Sequence, residues 1–192
     1  MKNYIAIFSF LAINKVSRTI NNTSKMNVVP TDFFKRDALT VAPELLGKYL
    51  VRKYENGEIE RFRIVEVEAY RGREDLACHA SKGRTKRTEV MYNTGGKLYM
   101  YLIYGMYWML NIVTGKKNEP QAILIRGVEG AIGPGRLTKR LVLDKSFYGE
   151  AIPSSRIWIE DHGEHPAYTT TPRIGIDYAK KWKDKPWRYI VT

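Results

Sequence analysis

Apolar residues between Phe33 and Gly47 recur at helical spacing. Ala38, Leu39, Ala42, Leu45 and Leu46 carry the pattern, and Gly47 suits the left-handed residue that ends a helix. Pro43 has no backbone N–H to give, so two short helical pieces broken at that residue are expected. From Lys48 the period changes to that of strands. Lys48 to Tyr54 reads as one strand, and Asn56-Gly57 as a two-residue hairpin turn into a second, Glu58 to Tyr70. Residues 71–93 carry many charges and no apolar period. They read as a long loop, and loops of that length in compact domains usually bind something. Residues 97–114, KLYMYLIYGMYWMLNIVT, read as two strands turning at Gly105. Residues 121–128 read as another, with Arg126 on the face of Leu124. Gly133-Pro134-Gly135 opens a short helix expected over Arg136 to Leu143. Short strands are expected at 156–160, 173–176 and 187–191. Many strands and few, short helices make this an α+β chain.

The run Arg63 to Tyr70, RIVEVEAY, is apolar and β-branched yet holds two carboxylates. Alternation places Ile64, Glu66, Glu68 and Tyr70 on one face and Arg63, Val65, Val67 and Ala69 on the other. A strand apolar on both faces is usually buried, and a buried carboxylate without a partner costs about 2–7 kcal/mol. Two readings fit. The glutamates pair with arginines, or one is a catalytic carboxylate in a pocket, which also accounts for Tyr70 and for His79 just beyond. Spacing alone leaves both open.

The hairpin at 97–114 crowds Tyr99, Tyr101, Tyr104, Tyr107 and Trp108 together. A buried tyrosine must find a partner for its hydroxyl, so an ordinary core would use Leu, Val or Phe. Aromatic faces also stack nucleobases, at about 1–3 kcal/mol per base. Tyr104 stands just before the turn glycine, where a side chain can wedge into a minor groove.

Charge sharpens this picture. The 192 residues carry a formal net charge of +12, with basic stretches from Arg71 to Lys97 and from Arg173 to Arg188. A polyanionic partner is expected, nucleic acid first and an anionic membrane surface second. A single cysteine, Cys78, excludes an intrachain disulfide, and with only three histidines a structural zinc site is not expected. His162 and Glu164 form the H-x-E of zinc deaminases, but the P-C-x-x-C partner is absent. No nucleophile elbow, P-loop or dinucleotide fingerprint is present. Tyr4 to Ile13 is too short an apolar run to span a bilayer. Residues 1–30 are expected to be a disordered extension, with Met26 a candidate start, ahead of one domain over 31–192.

In order along the chain, LLGK (Leu45 to Lys48), IVEVEAY (Ile64 to Tyr70), the D-x-A-x-H from Asp75 to His79, T-x-R (Thr85 to Arg87), LYMYLIYGMYWMLNIV (Leu98 to Val113), AILIRGVE (Ala122 to Glu129), GPGRLT (Gly133 to Thr138) and RIGI (Arg173 to Ile176) resemble the alkyladenine (3-methyladenine) DNA glycosylase family without a helix-hairpin-helix motif. The resemblance covers about residues 33–191. The fold expected is a single α+β domain around a curved, mostly antiparallel sheet, a roll or partial barrel, with short peripheral helices and a protruding hairpin. The resemblance implies removal of alkylated purines from double-stranded DNA by hydrolysis of the N-glycosidic bond. It implies no cofactor, no metal, no membrane, a monomer, and a place inside the cell with the DNA.

By the same resemblance Glu68 is the general base that aims a water at C1′. Arg126 and the carbonyl of Ile174 help hold that water. Tyr70, His79 and Tyr101 enclose the flipped base, and Asn111 discriminates against the guanine amino group. Tyr104 fills the gap left in the duplex, and Thr85, Arg87, Met91 and Tyr107 meet the DNA backbone. Cys78 replaces the small residue usual before the histidine, and Glu66 is expected to be structural, paired with an arginine. The residues agree with this chemistry from below. Glycosidic cleavage passes through an oxocarbenium-like sugar, which a nearby carboxylate stabilises. The nucleotide must leave the stack to be reached, at a few kcal/mol. A non-catalytic basic and aromatic nucleic-acid module, RNA included among its partners, is the alternative, and a lyase working through a lysine Schiff base is a third.

Overall fold

The computed structural model describes residues 27–192. The expected disordered extension up to residue 26, and the Met26 start, lie outside them. Residues 27–30 depart from that expectation, because Val29 N–H donates to Ile159 O at 2.8 Å and Val28 bridges Glu160. They belong to the sheet edge.

Strands Tyr49–Lys53 (β1) and Ile59–Arg71 (β2) form the first hairpin. Its turn is longer than expected. Gly57 N–H donates to Tyr54 O at 3.0 Å and Tyr54 N–H to Glu58 O at 2.8 Å. Only Gly57 is left-handed, at φ 86°. Asn56 instead accepts the Glu58 N–H through its side chain, at 3.0 Å, a local bond that Asn favours in turns. The chain continues through β3 (Leu98–Ile103), β4 (Tyr107–Thr114), β5 (Gln121–Val128), β6 (Ala131–Ile132), β7 (Ile157–Glu160), β8 (Tyr168–Thr171) and β9 (Arg188–Val191). All pairings are antiparallel, in the order β3-β4-β5-β2-β1-β7. β6 pairs with β5, and β8 with β9, which lies on the second half of β2. The sheet does not close. Residues 173–176, expected as a strand, form a bend; Tyr168–Thr171 is the strand before it.

β2 is the axis of the architecture. Its register against β5 shifts between Ile64 and Val67, which is a β-bulge. An inserted residue bends a strand and reverses which face its later side chains take. Phe62 and Ile64 lie in the main apolar cluster, and beyond the bulge Val67 and Ala69 lie there instead. Ile64 therefore does not share a face with Glu66, Glu68 and Tyr70 as strict alternation predicts.

Helix α1 (Ala38–Leu45) packs Ala38, Val41, Ala42 and Leu45 into that cluster. Asp37 caps it, accepting the Leu39 N–H at 2.9 Å. The helix runs through Pro43. The break comes earlier, between the 3-10 turn Thr31–Lys35 and Asp37. Near the C-terminal end of so short a helix the missing N–H removes only one bond. Helix α2 (Pro134–Arg140) starts two residues before the expected span. A second apolar cluster, with Cys78, Val90, Met91, Tyr92 and Tyr99, lies on the other side of the sheet. It packs residues 71–93, which form two 3-10 turns, His79–Lys82 and Glu89–Tyr92.

Candidate active site

Strand alternation delivers the site. Leu98, Met100, Leu110, Ile112, Ile123 and Ile125 point into the main core. Their neighbours point the other way. Register then places Tyr99 opposite Asn111, Asn111 opposite Leu124, Leu124 opposite Glu68, and Glu68 opposite Arg188. This row crosses five strands, and Leu124 within it lines a cleft of about 760 Å³. The walls include Tyr70, His79, Arg87 and Tyr101 on one side, the hairpin tip and Gly133 to Arg136 on another, and the bend Ile174 to Ile176 with Tyr178.

Glu68 is fully buried. Its Oε1 accepts the Ile174 N–H at 2.8 Å and lies 3.4 Å from Arg126 Nη1. Its Oε2 accepts the Tyr70 hydroxyl at 2.7 Å. Two hydrogen-bond donors and a guanidinium, from three segments, thus hold one carboxylate, which is how a buried anion is made tolerable. Ile174 meets Glu68 through its N–H, while the residue's carbonyl is the group the resemblance singles out. Glu66 is held differently. Arg126 Nε and Arg188 Nε both donate to its Oε1, at 2.9 and 2.6 Å. The two glutamates share a face and an arginine, but only Glu68 also takes a main-chain N–H and a phenol. Glu66 is paired with arginines, as expected.

The aromatic wall is uncharged. Burial first, then the charge of Glu68, pushes the Tyr70 phenol well above 10. Burial likewise raises Tyr101, and takes Tyr99 to about 12. His79 Nδ1 shares a hydrogen bond of 2.8 Å with the Tyr99 hydroxyl, and its ring meets Tyr101 edge to face at 4.6 Å. Burial, then Arg87, then Lys82, lowers its imidazole to about 4. At neutral pH His79 offers hydrogen bonds and no charge. Asn111 lies beside a void of about 20 Å³ beneath Tyr70, His79 and Tyr101, with its amide nitrogen donating to Tyr99 O and Met109 O.

The hairpin tip projects. Tyr104 and Gly105 both have positive φ, 53° and 69°, and Met106 N–H donates to Ile103 O at 3.1 Å. This is the geometry of a primed hairpin turn, for which Tyr is a strained choice and Gly an easy one. Tyr104 is 82% exposed and Met106 66%. Met106 lies inside the quoted hairpin motif, and only its place beside the turn exposes it at the tip. Tyr107 packs on Gly135, where an added Cβ would sit 2.9 Å from the ring. Pro134 and Gly135 stand inside the GPGRLT motif and Tyr178 just beyond RIGI, and only the assembled cleft gives them a role. Thr85 is exposed, with its N–H on Thr88 Oγ1, and Arg87 lies 5.1 Å over the Tyr101 ring. The Met91 side chain is buried in the second cluster, with Tyr99, and its N–H is taken by Thr88 O.

Cys78 is buried, and burial pushes its thiol up to about 12. Among the described residues no group of three His, Cys, Asp or Glu side chains could hold a metal ion. No described helix is long and apolar enough to cross a membrane.

Known proteins resemble this chain throughout its described part. The family model for methylpurine-DNA glycosylase matches residues 32–132 and 129–192. A Psychrobacter cryohalolentis protein provisionally named a 3-methyladenine DNA glycosylase is 42% identical, covering 86% of this chain and 92% of its own. Similarly named proteins of Legionella pneumophila (strain Corby) and Methanocella arvoryzae are 43% and 42% identical over 86% and 85% of this chain, and over 95% and 92% of theirs. On this evidence the chain belongs to the methylpurine-DNA glycosylase family, and with it to the DNA glycosylases.

Proposed function

We propose that this enzyme flips an alkylated purine nucleotide of the 3-methyladenine type out of duplex DNA and hydrolyses its N-glycosidic bond with water activated by Glu68. The observation that carries the reading is Glu68 itself. It is a fully buried carboxylate held by Ile174 N–H, Tyr70 and Arg126 beside a cleft walled by Tyr70, His79 and Tyr101.

The steps follow from that geometry. Tyr104, carried on a turn that holds it away from the body, enters the duplex and fills the space the nucleotide leaves. The base enters between Tyr70, His79 and Tyr101. A purine alkylated at N3 or N7 is cationic, and it gains about 0.5–2 kcal/mol against tyrosine faces. Neutral His79 does not repel it. The glycosidic electron pair returns to the purine as the bond breaks, so the cationic base leaves neutral. Water adds its oxygen to C1′ and its proton passes to Glu68. The carboxylate also faces the positive charge that develops on the sugar. Asn111, under the base, tests its edge, and Arg87 and Thr85 at the rim meet phosphates. The product is an abasic site in DNA, and the enzyme works where the cell keeps its DNA.

The test is release of 3-methyladenine from methylated duplex by wild type and by Glu68→Gln. A variant slower by at least about 10²-fold supports the role of the base; one within about tenfold, equivalent to about 1.4 kcal/mol, refutes it. A wild type that binds duplex and releases nothing supports the non-catalytic module instead.

A further inference from the structure

Arg173 and Asp75 form an ion pair in which both side chains are fully buried. The contact is bidentate. Arg173 Nη1 donates to Asp75 Oδ2 at 2.6 Å and Nη2 to Oδ1 at 2.9 Å. Nη1 also donates to Ala69 O at 2.9 Å, and Nη2 to Trp182 O at 3.2 Å. The guanidinium lies 4.7 Å from the centre of the Tyr70 ring and 5.0 Å from that of Trp187. Its Nε is buried with no hydrogen-bond partner among the described residues. Asp75 in turn accepts the N–H groups of Ala77 at 3.0 Å and Arg71 at 3.3 Å. Neither side chain lines the cleft, and the proposed chemistry uses neither.

Several of the groups these two hold lie next to groups of the site. Ala69 stands between Glu68 and Tyr70. Ile174, whose N–H meets Glu68 Oε1, directly follows Arg173. Asp75 anchors the turn that carries Ala77 and His79 into the cleft wall. We infer that the Arg173–Asp75 pair is the positioning element of this active site, fixing the aim of the Glu68 carboxylate and the plane of Tyr70 without touching DNA. The inference rests on Glu68 being the base of the proposed reaction.

A buried ion pair is an expensive way to gain stability, since apolar residues of similar volume often do as well. What a guanidinium adds is direction. Its planar fork meets two carboxylate oxygens and two carbonyls at once, and it stacks on aromatic rings, which neither an ammonium nor an alkyl chain does. The strand that carries Glu68 and Tyr70, the bend at Ile174 and the turn before His79 are thereby tied to one rigid plane.

The experiment separates chemistry from binding. Arg173→Lys keeps the charge beside Asp75 but replaces the fork by a point donor. Single-turnover release of 3-methyladenine from methylated duplex, at saturating enzyme, is compared with affinity for a duplex carrying a tetrahydrofuran abasic analogue. The rate should fall about 10²-fold, the scale of a small misplacement at a reacting centre, with affinity changed by less than about threefold. Arg173→Gln should be slower still, so that lysine appears as a partial rescue. A rate within about threefold of wild type overturns the inference, and so does a loss of affinity in step with the rate, which marks mere support of the fold. Should neither arginine variant fold, Asp75→Asn keeps the volume and is judged by the same comparison. A wild type that releases no base overturns the parent reading instead, and this one with it.

Discussion

Replacing His79 by glutamine should remove a defined part of the pH dependence of folding. Burial, then Arg87 and Lys82, lowers the folded-state imidazole from 6.5 to about 4. In the unfolded chain the same group takes its proton near 6.5. Between these values the unfolded state binds a proton that the folded state refuses, so folding weakens as pH falls. Nothing is lost above the unfolded value, and the loss is complete below the folded one. Fully expressed, the interval is worth about 3 kcal/mol, since one pH unit corresponds to about 1.4 kcal/mol. Glutamine retains a polar group toward the Tyr99 hydroxyl but does not titrate. Urea denaturation of both proteins from about pH 7.5 to about pH 4.5 measures the difference in stability. Other titrating groups are common to both and cancel. The wild type should lose about 2–3 kcal/mol relative to the variant over that range. A constant difference, or one that grows in favour of the wild type toward acid, would refute the argument. It would place a charged imidazole against the base and remove the basis for admitting a cationic purine there.

Other variants probe the remaining parts of the site. Tyr104→Ser should weaken binding to abasic-site duplex and slow excision with no change in melting temperature, because the side chain is almost wholly exposed; unchanged affinity and rate would remove it as the wedge. Glu66→Gln leaves Arg126 and Arg188 facing each other without their shared carboxylate. It should cost about 3 kcal/mol by urea denaturation while slowing excision less than Glu68→Gln does. Gly135→Ala sets a methyl group 2.9 Å from the Tyr107 ring. The hairpin must shift, and the expected loss of about 1–3 kcal/mol outweighs the helix propensity gained, about 1 kcal/mol, in a thermal melt.

The residues themselves determine most of the local elements and much of the candidate site. Period-two patterning locates β1 to β5 to within a residue or two, because alternation is imposed by the strand backbone and needs no partner to be read. The turn at Tyr104-Gly105 and the common face of Leu124 and Arg126 follow in the same way. Residue types mark Glu68, Tyr70, His79 and the crowded tyrosines as costly in a core, and so as candidates. The remainder depended on partners distant in sequence. A bulge against β5 moves Ile64 into the core and leaves Glu66 and Glu68 facing the site, and no spacing within β2 announces it. Spacing leaves Glu66 and Glu68 alike, and their surroundings differ because Arg188 reaches the first while Ile174 N–H reaches the second. Residues 71–93 acquired a core of their own, and 173–176 bent rather than paired, because Arg173 turns inward to a carboxylate 98 residues before it. Local periodicity selects strands and turns, whereas the fate of a buried charge is decided by whichever opposite charge the assembled sheet brings to it.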